Sequence, residues 1–271
     1  MVIRETTLCV LTALAVIWVA APAGAEDPSR PEVVAQAASQ PDQKSSPPAG
    51  AKTGEPDLGP GRAVSASPPP PIYRPPMLSK PTRTVGGGSR GVGDTAPALY
   101  AIVPNHVAQS ASKQPSLFWY LDGVLPRSAK IELTLIDDEA VAPLIETTLK
   151  NPDRPGLYRI DLADYGVNLS PGKEYEWSVS IVMDPADRSQ DIMATGWIER
   201  VPRSDGLSAR LATEGEDRSV HVFADEGLWY DALTALGDQM QRNPDDRELR
   251  EVRSSLLRQV GLDTVATAPV L

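Results

Sequence analysis

Two histidines, His106 and His221, and 36 acidic residues are the stock from which this 271-residue chain could assemble acid–base chemistry. His106 follows Pro104-Asn105 in a loop and could serve a Ser-His-Asp constellation, but the one G-x-S-x-G spacing, Gly87 to Gly91, falls in a glycine run whose flanks lack the strand and helix of a nucleophile elbow. His221 lies between Val220 and Val222, and a lone histidine is more often a surface or core residue than a base. A carboxylate pair for glycoside hydrolysis is a spatial arrangement, and nothing in the order of residues singles one out. The acidic stretch 184–191 and the tip Asp137-Asp138-Glu139 could offer oxygens to calcium. Both lack the EF-hand spacing with its glycine and distal glutamate, so they read as turns. The glycine run 86–91 could cradle phosphate only between a strand and a helix. Its flanks, Pro81-Thr82 and Asp94-Thr95-Ala96-Pro97, supply neither, so it reads as a hinge. No catalytic residue, no metal ligand and no cofactor is therefore expected.

The first 25 residues read as an export signal. Arg4 forms a thin basic region, residues 8–21 an apolar run, and Ala23-Gly24-Ala25 a cleavage site that places the cut between Ala25 and Glu26. That run is short for a bilayer span, and no second apolar run of about 20 residues follows, so no membrane span is expected once the signal is removed. Cys9, the one cysteine, lies inside the signal. The mature chain then has no disulfide, no thiol nucleophile and no Cys-ligated metal, and it must hold itself together by core burial. A net charge of −10 without a basic stripe argues against nucleic acid as partner, and none is expected.

Residues 26–84 hold 14 of the 27 prolines and almost no aromatic side chain. Such a composition buries too little apolar surface to offset the entropy of ordering it. A disordered tether is expected here, with polyproline II character around residues 68–71 and 75–76. A proline run can also dock into an aromatic groove, although a spacer is its commoner use.

Beyond the glycines, short β-rich segments alternate with turn signals over 98–103, 116–121, 129–136, 143–149, 157–162, 174–182 and 192–200. Seven strands suit an immunoglobulin- or fibronectin-like sandwich, assigned to residues 85–202. Leu169-Ser170-Pro171-Gly172 leading to Tyr175 is the pattern of a tyrosine corner, in which the phenol ties a sandwich corner to upstream backbone. Ile131, Leu133 and Leu135, then Tyr158, Ile160 and Leu162, then Tyr175, Trp177, Val179 and Ile181, form inward stripes of period two. Phe118-Trp119-Tyr120 puts aromatics on both faces of one strand, so something beyond the sheets must cover the second face.

After Pro202 the period lengthens, and residues 203–265 are expected to be helical and packed on the sandwich. Trp229, Leu233, Leu236 and Met240 form one helical stripe, Leu249, Val252, Leu256 and Val260 another, and Asn243-Pro244 separates them. The result is an αα-hairpin with Asp245 as N-cap and a Schellman stop at Gly261-Leu262. A short helix is expected around 207–213, and 217–224 is expected to prolong the Trp229 helix backwards through Gly227. Residues 266–271 are expected to be a disordered tail.

The blocks Gly86-Gly87-Gly88-Ser89-Arg90, Ala101-Ile102-Val103-Pro104, Phe118-Trp119-Tyr120, Gly172-Lys173-Glu174-Tyr175-Glu176-Trp177, Asp184-Pro185 with Arg188-Ser189, Gly196-Trp197-Ile198-Glu199-Arg200 and Gly227-Leu228-Trp229-Tyr230-Asp231-Ala232-Leu233 appear in one order. Together they resemble domain-of-unknown-function family 928 over about residues 85–265, with Trp229-Tyr230-Asp231-Ala232-Leu233 the most distinctive. The family often carries a cysteine before Asp-Pro where this chain has Met183, so any thiol role does not transfer. The resemblance implies an exported bacterial protein and brings no catalytic residues.

The expected molecule is mainly β with an α tail, preceded by a disordered Pro-rich segment. The expected role is that of a non-enzymatic exported envelope module that binds a protein or glycan or serves structurally, in the periplasm, the envelope or outside the cell. The alternative is a hydrolase of envelope polymers acting through a carboxylate pair or a His-dependent site.

Overall fold

In the computed structural model, the described residues are 69–76 and 97–268. The expected signal and its cut between Ala25 and Glu26, the glycine run 86–91 and residues 269–271 lie outside them. Eight strands form two sheets: β1 (Ala98–Ala101), β2 (Ala108–Ser110), β3 (Ser116–Asp122), β4 (Lys130–Asp137), β5 (Ile145–Leu149), β6 (Gly156–Asp161), β7 (Glu174–Val182) and β8 (Ile192–Arg200). One sheet runs β1-β3-β6 and the other β2-β8-β7-β4-β5. All described pairings are antiparallel except β2 with β8. Seven strands fall where alternation put them, and the eighth, β2, was not expected. Three residues carry no detectable period, and β2 exists only because β8, about 90 residues later, offers it a ladder.

Tyr175, Trp177, Val179 and Ile181 are all buried, against the half-buried Glu174, Glu176, Ser178 and Ser180. Each such side chain contributes about 2 kcal/mol by the apolar area it removes from water. Trp177 faces Gly196 directly across the β7–β8 ladder. A Cβ on Gly196 would lie 2.6 Å from the indole, so the missing side chain makes room for the ring. The amide of Ser170 donates to the Tyr175 hydroxyl at 2.8 Å, which realises the corner expected from Leu169 to Tyr175.

The helical part comprises α1 (Asp205–Glu214), α2 (Ser219–Asp225), α3 (Trp229–Arg242), α4 (Arg247–Gln259) and the single turn α5 (Asp263–Ala266). Residues 217–224 do not extend α3 backwards: Gly227, at φ 76°, ends α2 and starts a separate helix. Asp246, not Asp245, caps α4, with its carboxylate accepting from the amides of Glu248 and Leu249. Gly261 at φ 79° and the bond from Leu262 N to Leu257 O close that helix in a Schellman stop. The tail expected to be disordered from residue 266 is packed as far as Ala268: Ser254 donates to Ala266 O and Arg253 to Ala268 O.

The second face of β3 is covered by α3 and α4, where Gly237 allows the Phe118 ring to approach within 3.3 Å of where a Cβ would stand. One apolar core then runs through both sheets and the helices. The Trp229-Tyr230-Asp231 block joins them. Trp229 Nε1 donates to Ile102 O at 2.9 Å, and Tyr230 donates to Trp197 O while accepting from Trp177 Nε1. The Asp231 carboxylate accepts the Ala111 amide at 2.9 Å.

Candidate functional site

The hairpin does not close completely on the three-stranded sheet. Between β6, α3 and α4 lies a cleft of about 770 Å³, inside the range of small-ligand sites. Its floor is the outward face of β3 and β6, where register pairs Phe118 with Arg159 and Ser116 with Asp161. Arg159 lies 5.9 Å over the Phe118 ring and bonds Asp161 at 2.6 Å and Asp238 of α3. Ser116 donates to the same Asp161 oxygen. Hydrogen bonds to these two aspartates offset the burial of the Arg159 guanidinium and hold its pKa above the ordinary arginine value. On the opposite face of this sheet, Tyr158 stacks on Trp119 with centroids 4.8 Å apart and donates to Arg154 O.

Four of the residues lining the cleft are arginines and two are aspartates. Arg159 is neutralised as described. Arg250 donates to the carbonyls of Pro244 and Asp245, which carry no formal charge. Arg253 is 5 % exposed, gives one bond to Ala268 O, and leaves its Nε buried without a partner. Burial pulls its pKa down, partly opposed by Tyr120. A guanidinium keeps its charge even so, and one buried beside a neutral carbonyl alone is undercompensated. The cleft therefore offers apolar and aromatic surface beside uncompensated positive charge, which suits a ligand carrying an anionic group.

Among the described residues, neither carboxyl group whose pKa is raised lines this cleft. Asp231 is pushed up by burial, against hydrogen bonds from Ser110 and Ala111 among others, and its bond to Ala111 anchors a loop. Glu176 is raised by burial and by Asp138, on the other sheet. Asp161 already accepts from Ser116 and Arg159.

The acidic loop forms turns. Asp184 accepts the Ala186 amide, Asp187 accepts from Ser189, and Arg188 bonds Asp191 and Glu132. Asp137 and Glu139 share Lys173. Among the described residues, no three His, Cys, Asp or Glu side chains converge on a metal-sized site.

The histidines do not meet a serine. Val107 O can only accept, so His106 carries its proton on Nδ1 (3.0 Å), and Nε2 faces the Tyr73 hydroxyl at 3.4 Å. His221 Nε2 donates to Pro69 O at 3.0 Å. Both histidines of the chain thus contact residues 69–76, a piece of the stretch expected to be a disordered tether. That expectation fails for this segment: Pro71 and Tyr73 are buried, and Tyr73 stands edge-on to Trp229 at 4.9 Å and parallel to His106 at 5.9 Å. A composition-based reading averages over the stretch and misses one aromatic anchor. It likewise misses Arg253, because an arginine on a helix reads as solvated until packing buries it.

Two β sheets sharing a core with a C-terminal helical hairpin, and an open cleft between them, define the class of molecule. The chain belongs to the family described as Domain of Unknown Function (DUF928), whose model matches residues 85–270. No curated protein matches. A solved structure of astrotactin-2, described as a conserved vertebrate-specific and perforin-like membrane protein involved in neuronal development, aligns at 13% identity and a TM-score of 0.26. The alignment covers 64% of this chain and 34% of that one, so this chain spans about a third of that protein's length. Among the described residues, no helix is long and apolar enough to cross a membrane.

Proposed function

We propose that this protein is a non-enzymatic exported envelope module whose β body is an immunoglobulin-like sandwich and whose cleft binds an acidic glycan. The sheet orders, the parallel pairing of a short early strand with the last strand, and the Tyr175 corner support the sandwich reading. The observation that carries the binding reading is Arg253, buried with its Nε unpartnered in a cleft that Phe118 and Leu157 also line. A glycan ring lies against such apolar faces while its carboxylate compensates the guanidinium.

Calorimetric titration of the full chain with uronic-acid oligosaccharides and their neutral counterparts tests this. The acidic series is expected to bind about 10- to 100-fold more tightly, the value of one charge-assisted hydrogen bond. Arg253→Met is expected to abolish that preference with little loss of stability, because removing an undercompensated buried charge is often neutral. Equal affinity for both series overturns the proposal. Release of reducing ends, lost in Asp161→Asn or Asp245→Asn, overturns it in favour of the hydrolase.

A further inference from the structure

We propose that the groove holding residues 69–76 is a recognition site for a proline-rich segment of another protein, of the form Pro-Pro-x-Tyr-Arg-Pro-Pro, and that this chain's own segment is its tethered occupant. The site is separate from the cleft and does not depend on the acidic-glycan reading.

Prolines have no amide hydrogen, so a proline-rich strand offers carbonyls almost alone and its host must supply donors. The body does this. His221 Nε2 donates to Pro69 O, and Gln259 Nε2 donates to Pro71 O at 2.9 Å. Where the segment does have amides, the body switches to acceptors. Gln259 Oε1 takes the Tyr73 amide at 2.8 Å, and Ala224 O takes that of Arg74 at 3.0 Å. One glutamine side chain thus grips the backbone on both sides of Ile72, which itself points to solvent at 65 % exposure. Buried Pro71 and Tyr73 alternate with exposed Pro70, Ile72 and Arg74. This is the alternation by which extended peptides are read.

Side-chain selection comes from two places. The Tyr73 ring fills a slot between Trp229 and His106, with its hydroxyl toward His106 Nε2. Arg74 Nε pairs with Asp225 at 2.8 Å. Gly227 is shaped to the occupant as well, because a Cβ there would lie 2.6 Å from Arg74 O. The groove residues His106, His221, Ala224, Asp225, Gly227, Trp229 and Gln259 fall within the family match at 85–270, and the occupant lies before it. Twenty residues separate Pro76 from Pro97. Covalent attachment through a connection of that length gives the occupant an effective concentration of about millimolar order, so a free competitor enters only when the tethered occupant is weakened or cut away.

The test uses the full chain and a fluorescent peptide of residues 67–78, followed by anisotropy. Wild type is expected to leave the peptide unbound below about millimolar concentration. Tyr73→Ser in the chain, which empties the slot, is expected to bind it at least ten times more tightly. A peptide with serine at the tyrosine position should not bind, and Asp225→Asn added to the Tyr73→Ser chain should weaken binding several-fold. Failure of the Tyr73→Ser chain to bind, with its circular dichroism unchanged, overturns the proposal. Because that variant could lose its fold, a second protein carries a protease site within residues 77–96. After cutting, labelled peptide should replace the native segment. A segment that stays bound and never exchanges makes it a fixed part of the domain and overturns the proposal. Concentration-dependent dimers that the peptide dissolves assign the groove to a second copy of this chain, which also overturns it.

Discussion

At the scale of single residues, Tyr230 does more than fill space. Its hydroxyl is the only bridge between the Trp177 indole and the Trp197 carbonyl among the described hydrogen bonds, in a fully enclosed site. Tyr230→Phe keeps the ring and leaves a buried donor without its partner. A loss of about 1–3 kcal/mol is expected, read from urea unfolding midpoints. His221 gives a pH dependence. Burial lowers its pKa below the usual 6.5, against the Pro69 carbonyl, Glu214 and Glu248, which raise it, while Arg218 lowers it further. Its Nδ1, which would take the second proton, is buried without a partner. Below pH 6.5 the unfolded chain takes up a proton that the folded chain resists. Stability from this group is therefore whole above that pH and declines as the pH falls toward the depressed folded value. His221→Gln keeps a donor for Pro69 O and cannot titrate in this range. Its unfolding midpoint is expected to fall less than that of wild type between pH 7.5 and 5.5, and an equal fall would contradict the assignment.

At the scale of elements, two glycines with the same backbone conformation separate local strain from a tertiary contact. Gly227 and Gly261 have φ of 76° and 79°, and each ends a helix. Around Gly261 nothing stands within 4 Å of a new Cβ, whereas at Gly227 the Arg74 carbonyl is 2.6 Å away. Gly261→Ala is expected to cost about 1–2 kcal/mol of left-handed strain and nothing else. Gly227→Ala should cost that and also displace the docked segment, seen as faster hydrogen exchange at the Tyr73 and Arg74 amides. Equal exchange in the two variants would mean that the segment tolerates the methyl group. The glycine at 227 was visible in the sequence, but its reading as a modest helix penalty was wrong. Nothing local says that an extended segment from about 150 residues upstream passes over it.

At the scale of the molecule, the sheets and the helical hairpin share one core, and Trp229, Tyr230 and Asp231 each bond the β body from the first turn of α3. Removing the hairpin would expose the second face of β3 and leave Trp177 unpaired. The two parts are expected to unfold together, with tryptophan fluorescence and helical circular dichroism giving one coincident urea transition. A helical signal lost at lower urea than the tryptophan signal would show independent units.

Alternation of period two places seven strands and three inward stripes, and the spacing of Trp229 to Met240 and Leu249 to Val260 places a hairpin. These are local properties, imposed by which side chains share a face of one strand or helix. Even the need for a cover over Phe118 and Tyr120 follows from that rule. The cleft, the buried Arg253 and the docking of residues 69–76 come only from the tertiary structure. They depend on groups up to 188 residues apart, as with Pro71 and Gln259, and on charges whose burial no neighbouring residue announces. A chain's own order encodes which faces are apolar. Which distant partner meets each polar group is decided when those faces pack and water is removed from between them.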